Sequence, residues 1–125
     1  MNRLKGLNEL LAKVEAGDAV SQFDPLFERA FYHSNIDMVT KVYPPGLAAI
    51  GDKNAAFELK KAVCPDHTIN INENRFNGVS EFQVELGTFG NSTDAEHKSL
   101  SVAILIAVIK AMIWEAEQAT TLGGN

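Results

Sequence analysis

Cysteine is almost absent from this chain. Cys64 stands alone among 125 residues, so no intrachain disulfide can form, and a reducing cytosol is the expected setting. Basic clusters are also missing. The formal net charge is −5, and the densest basic spot, Lys60-Lys61, sits beside Glu58. A phosphate-binding surface needs clustered Lys and Arg, so nucleic acid is not an expected partner. The N-terminal stretch MNRLKGLNELLAKVEAG lacks the continuous apolar run of a signal peptide. The one strongly apolar segment, Leu100 to Trp114, is shorter than the roughly 20 residues of a membrane span and is interrupted by Lys110. The chain is therefore expected in the cytoplasm, with no membrane contact. Internal repeats and low-complexity tracts are absent as well, and 125 residues fit one domain. Its core is expected over about 4–119, followed by a frayed tail over 120–125.

Catalytic signatures are lacking in the same way. No Gly-x-Ser-x-Gly elbow and no Gly-rich phosphate loop occur. Cys64-Pro65-Asp66-His67 offers sulfur, carboxylate and imidazole within four residues. A structural zinc site, however, takes four ligands, usually from two separate pairs, and there is only one cluster here. Cys64 reads better as a small buried hydrophobe and Asp66-His67 as a turn. Neither a metal nor a cofactor is expected.

What is present is a strong pattern of cores and caps. Apolar residues make up 46 % of the chain, enough for a hydrophobic interior. Leu4, Leu7, Leu10, Leu11 and Val14 recur at three-four spacing and predict a helix over Asn2 to Ala16, stopped by Gly17. Asp24-Pro25 opens a second helix ending near His33-Ser34, with Leu26, Phe27, Ala30 and Phe31 as its apolar stripe. Met38, Val39 and Val42 suit a short helical turn or a short strand, and Pro44-Pro45-Gly46 forces a loop. Asp52 caps a third helix, buried through Ala55, Ala56, Leu59 and Val63 and ended by Pro65.

Two segments then alternate with period two. Thr68 to Asn72 and Glu81 to Leu86 each read as a strand with one buried and one wet face. The connection Glu73 to Val79 suits an antiparallel hairpin with a longer loop. Thr93-Asp94-Ala95-Glu96 matches a capping box and predicts that the last helix starts there and runs to about Ala119.

In that last helix, residues 100–114 are all apolar except Ser101 and Lys110, so it must be covered on several sides. Val102, Leu105, Val108, Ile109, Met112 and Ile113 form a bulky face suited to a sheet. Ala103, Ala107 and Ala111 form a ridge suited to a neighbouring helix. Two strands make a poor platform with both edges open. A third strand from residues 36–43, or a second copy of the chain in a homodimer, is expected to extend it. The fold class is thus α+β: a small antiparallel sheet covered by helices, with a buried C-terminal helix.

Blocks of this sequence resemble the phage ABA-sandwich domain, a family of small bacteriophage and prophage proteins. They are LLAKVEAG, FDPLFERAF, GDKNAAFELKKAVCP, HTININ, EFQVELG and STDAEHKSLSVAILIAVIKAM, together spanning roughly residues 4–114. A tryptophan-bearing first strand is replaced here by His67-Thr68-Ile69, and a Thr-Pro pair before the last helix by Lys98-Ser99. The resemblance implies a phage or prophage origin and a life in the bacterial cytoplasm. It carries no activity and no functional residue.

The candidate site is therefore read from the residues alone. Arg75 beside Phe76 is a common pairing on binding surfaces. The adjoining wet strand face carries Asn70, Asn72, Gln83 and Glu85, all hydrogen-bonding groups. These six residues are the expected contact set of a non-enzymatic binder. Its partner would be a host protein or a small molecule such as a nucleotide-like ligand. The other readings are a virion-associated assembly protein and a small enzyme using Cys64, Asp66 and His67. A solvated Arg75, with Phe76 folded back over the core, is the bland alternative.

Overall fold

A computed structural model of the chain describes residues 3–16, 53–88 and 91–123. In chain order these form α1 (Arg3–Ala16), α2 (Lys53–Val63), β1 (Thr68–Phe76), β2 (Val79–Thr88), β3 (Asn91–His97) and α3 (Leu100–Gly123). The three strands make an antiparallel meander in the order β1-β2-β3. Helix α3 touches β2 and β3, and it also touches α1 and α2. The apolar helix is thus the middle layer, with the sheet on one side and two helices elsewhere around it. The predicted helix over 24–34 and the strand candidate over 36–43 lie outside the described residues.

Each helix buries the stripe its spacing predicts. Leu7, Leu10 and Val14 of α1 enter the core, with Leu4 and Leu11 packed at its margin. Ala55, Ala56 and Leu59 do the same for α2. The Cys64 N–H still donates to the Lys60 carbonyl at 2.7 Å, and Pro65 then prevents another turn. From Ser101 through Ile109 every residue of α3 is buried. A fully buried Leu or Ile contributes about 1.5–3 kcal/mol by leaving water, so this helix anchors the interior. Ser101 is accommodated there because its hydroxyl pairs with the Ser99 hydroxyl at 3.0 Å. Among the described residues, no helix is long and apolar enough to cross a membrane.

The hairpin is tighter than expected. Glu73 to Phe76 is not loop but strand, and β1 pairs with β2 without interruption from Thr68–Gly87 to Phe76–Val79. Asn77 and Gly78 alone make the turn, with φ of 52° and 79°. Positive φ at both central residues is what a type I′ turn requires, and Asn-Gly is its preferred pair because neither is strongly penalised there.

The sequence Thr93-Asp94-Ala95-Glu96 does not cap a helix. It lies in β3, with Thr93 and Ala95 turned inward while Asp94 and Glu96 face water. The helix starts later, with Ser99 as its cap. The Ser99 hydroxyl accepts from the Val102 N–H at 3.4 Å, and the Ser99 carbonyl accepts from the Ala103 N–H at 2.9 Å. His97 Nδ1 accepts from the Ser99 N–H at 2.9 Å and fixes the bend between strand and helix. The Thr93 hydroxyl donates to the Ala107 carbonyl at 3.1 Å, far from any cap. Strand pairing to β2 overrides the local signature. This strand also supplies, from within the chain, the third strand that the two predicted ones lacked.

The same contact shows how closely α3 approaches the sheet. At Ala107 the alanine side of α3 also meets β3, because a small side chain lets a strand hydroxyl reach the helix backbone. Lys110 marks the border of this contact. Its amine donates to the Asp94 main-chain carbonyl at 2.8 Å and lies 3.7 Å from the Glu15 carboxylate of α1. At the other end, α3 continues to Gly123, past the expected stop near Ala119 and into the predicted tail.

Candidate functional site

Strand parity sorts every side chain of the sheet onto one of two faces. The inner face carries the rows Ile69-Leu86-Thr93 and Ile71-Val84-Ala95. Val84 and Leu86 are fully buried there. The outer face carries Asn70-Glu85-Asp94, then Asn72-Gln83-Glu96, then Asn74-Glu81, and closes at the turn with Phe76-Val79. Apart from half-buried Gln83, these residues are exposed.

Five of the six expected contact residues therefore share one surface: Asn70, Asn72, Phe76, Gln83 and Glu85. Arg75 does not join them. Once β1 extends through the predicted loop, an odd-numbered residue faces away from Asn70, Asn72 and Phe76. Its guanidinium is instead engaged beside Ser80 and Glu73. Arg75 Nε donates to Ser80 Oγ at 3.4 Å, Ser80 Oγ donates to Glu73 Oε2 at 2.6 Å, and Arg75 Nη2 lies 3.7 Å from that oxygen. Arg75 is solvated, at 73 % side-chain exposure. Phe76, by contrast, does not fold over the core; it is 80 % exposed, next to Val79 at 50 %.

The third strand adds residues to the site that were not singled out in the sequence. Asp94 and Glu96 complete the outer rows and, with Glu81 and Glu85, bring four carboxylates onto a face already lined by Asn70, Asn72, Asn74 and Gln83. Among the described residues the rows hold no Lys or Arg. Glu85 and Asp94 stand directly opposite each other, an arrangement that costs stability in a sheet. The alternation Ser92, Asp94, Glu96 was the available signal, masked by its match to a capping box.

At the sheet end away from the Asn77-Gly78 turn, the outer face runs into an open cleft of about 710 Å³. It is lined by Asp66, Thr68, Glu85, Gly87, Thr88, Asn91 and Ser92. Thr68 Oγ1 donates to the Gly87 carbonyl at 3.3 Å, and a Cβ on Gly87 would stand 3.3 Å from that hydroxyl. Glycine here keeps the floor of the cleft low. The lining is hydroxyl, amide and carboxylate, so it favours cationic or hydrogen-bond-donating groups over phosphate.

Cys64, Asp66 and His67 do not assemble into a reactive group. Cys64 is buried in the core, and its thiol pKa is pushed from 9.0 to about 12. Burial is the main cause, the Glu115 charge adds to it, and Lys60 partly opposes it. A nucleophilic cysteine needs the opposite shift. Asp66 is exposed on the outer cleft. His67 Nδ1 is shut off from solvent and has no hydrogen-bond partner among the described residues. No group of three or more His, Cys, Asp or Glu side chains suited to a metal occurs among the described residues.

No family model, curated protein or solved structure matches this chain.

Proposed function

We propose that this chain is a non-enzymatic binding protein that docks its outer sheet face on a basic surface of another protein. The single observation behind this reading is the composition of that face: four carboxylates and four side-chain amides in register, bordered by exposed Phe76 and Val79, with no cation in its rows among the described residues. Such a surface attracts Lys and Arg over a distance and orients them by hydrogen bonding on contact. Phe76 supplies the kind of aromatic anchor on which binding energy concentrates. The same charges oppose a nucleotide-like ligand, whose phosphates they repel. In the bacteriophage or prophage setting suggested by the sequence resemblance, the partner is a host protein met in the bacterial cytoplasm.

A paired pull-down tests the proposal. Wild-type protein and a variant carrying Glu81→Gln, Glu85→Gln, Asp94→Asn and Glu96→Gln are immobilised and exposed to bacterial lysate. Mass spectrometry should find a basic protein on the wild type that is released by salt and absent from the variant. If both surfaces retain the same proteins, the outer face is not the binding site.

A further inference from the structure

The two edges of the sheet are defended differently, and from that difference we propose that β1 is a dimerisation edge. Two copies of the chain pair β1 against β1 antiparallel and make one six-stranded sheet. In a two-residue hairpin the closing pair exchanges both main-chain hydrogen bonds, and bonding then alternates along the ladder. Thr68, Asn70, Asn72, Asn74 and Phe76 therefore aim their N–H and C=O groups at β2, while Ile69, Ile71, Glu73 and Arg75 aim theirs at the open edge. Among the described residues nothing pairs with that edge. On β3 the outward groups belong to Ser92, Asp94 and Glu96. There Lys110 already holds the Asp94 carbonyl, and two carboxylates flank the edge. Charges and covered carbonyls are the usual protection against strand addition.

Among the described residues β1 has no lysine over an outward carbonyl and no unbalanced charge. It is nine residues long, unbulged, and free of Pro and Lys. Its single Glu and single Arg neutralise each other, so a second copy meets a neutral strand although each chain carries a net −5. Ile71, on the inner face, is 38 % exposed.

Register follows from the side chains. A two-fold axis at Asn70 sets Ile69 against the partner's Ile71, and Ile71 against the partner's Ile69. The inner faces then join through four isoleucines. Thr68 meets the partner's Asn72 on the outer side, with no like charges opposed. An axis at Glu73 would oppose two carboxylates. Axes at Ile71 or Asn72 set an isoleucine against a charged side chain, and one at Asn74 leaves Ile71 uncovered. The pair is isologous and closed, so it stops at two copies. It also joins the two outer faces into one acidic surface, but it stands on the edge and does not depend on what that surface binds.

Sedimentation of the whole chain at micromolar concentration should give twice the 13.6 kDa chain mass. Ile71→Lys places a charge in the joint and should return the single-chain mass, with its circular dichroism unchanged. Single cysteines read the register directly. In Asn70→Cys the new thiols face each other at a non-hydrogen-bonded pair and should crosslink under mild oxidation, whereas in Asn74→Cys they lie roughly 26 Å apart at about 3.3 Å per residue. Native Cys64, buried, should stay out of the reaction. A wild type that sediments as a single chain overturns the proposal. So does an Asn70→Cys variant that crosslinks no better than Asn74→Cys, and this second comparison holds even if Ile71→Lys fails to fold.

Discussion

Glu85 and Leu86 are neighbours on β2, yet one stands in water and the other has no contact with it. The two faces of this sheet are built to different tolerances. On the inner face Leu86 packs in a cluster with Val84, Ala95 and the apolar side chains of α3, so its shape is specified by many neighbours at once. On the outer face Glu85 has Asn70 and Asp94 across the strands and solvent above. A change inside must be absorbed by close-packed neighbours; a change outside alters charge and little else. The inner face therefore specifies the fold, and the outer face is open to specify a partner.

Leu86→Ala tests the inner side hardest. It removes a fully buried side chain and leaves a cavity, which should cost about 2–5 kcal/mol in denaturant unfolding. Gln83→Ala, three residues earlier on the outer face, should stay within about 0.5 kcal/mol. Comparable losses at the two positions would mean that the outer face is packed as well.

Cys64 sharpens the comparison through pH. Its thiol is protonated in both states below pH 9. Between 9 and about 12 the unfolded chain gives up the proton while the folded chain keeps it. Stability should therefore fall as pH rises through this window, with a slope approaching about 1.4 kcal/mol per pH unit. Other groups titrate there too, so the measurement is the difference in unfolding free energy between wild type and Cys64→Ala, which should lose this component. A difference that does not change with pH would place the thiol in contact with water.

Much of the inner face could be read from the amino-acid pattern, because burial leaves a period in it. Leu7, Leu10 and Val14 show the helical period, while Ile69 and Ile71, like Val84 and Leu86, show the strand period. The outer face was legible only where the strands were. Asn70, Asn72, Gln83 and Glu85 follow from alternation, and Phe76 joins them by parity. Arg75 was misplaced because the turn was set too early; the Asn77-Gly78 pair, a two-residue turn signal, carries the information that sends Arg75 to the other face. β3 was harder. Thr93 and Glu96 have the right spacing for a helix cap, and only pairing with β2 decides against it. That decision is tertiary, and no local window contains it.

Ser99 lies at the seam between the faces, where the chain leaves β3 and enters α3. Ser99→Ala removes the hydroxyl that accepts from the Val102 N–H and pairs with Ser101. The expected loss is about 1 kcal/mol, measured by denaturant unfolding. A much larger loss would indicate that the buried Ser101 hydroxyl finds no substitute partner.

The smallest effect should have the opposite sign. Glu85 and Asp94 oppose each other across β2 and β3, so the folded sheet holds two like charges at a distance the unfolded chain does not impose. Glu85→Gln keeps the shape, removes that repulsion and leaves an amide able to bond with Asp94. Stability should rise by about 0.2–1 kcal/mol, and the gain should shrink in high salt as the charges are screened. If the same substitution weakens capture of a basic partner while stabilising the fold, then the Glu85-Asp94 repulsion is a cost the folded chain carries for binding. If stability falls instead, the Glu85 carboxylate holds a structural contact, and the outer face is less independent of the fold than its exposure implies.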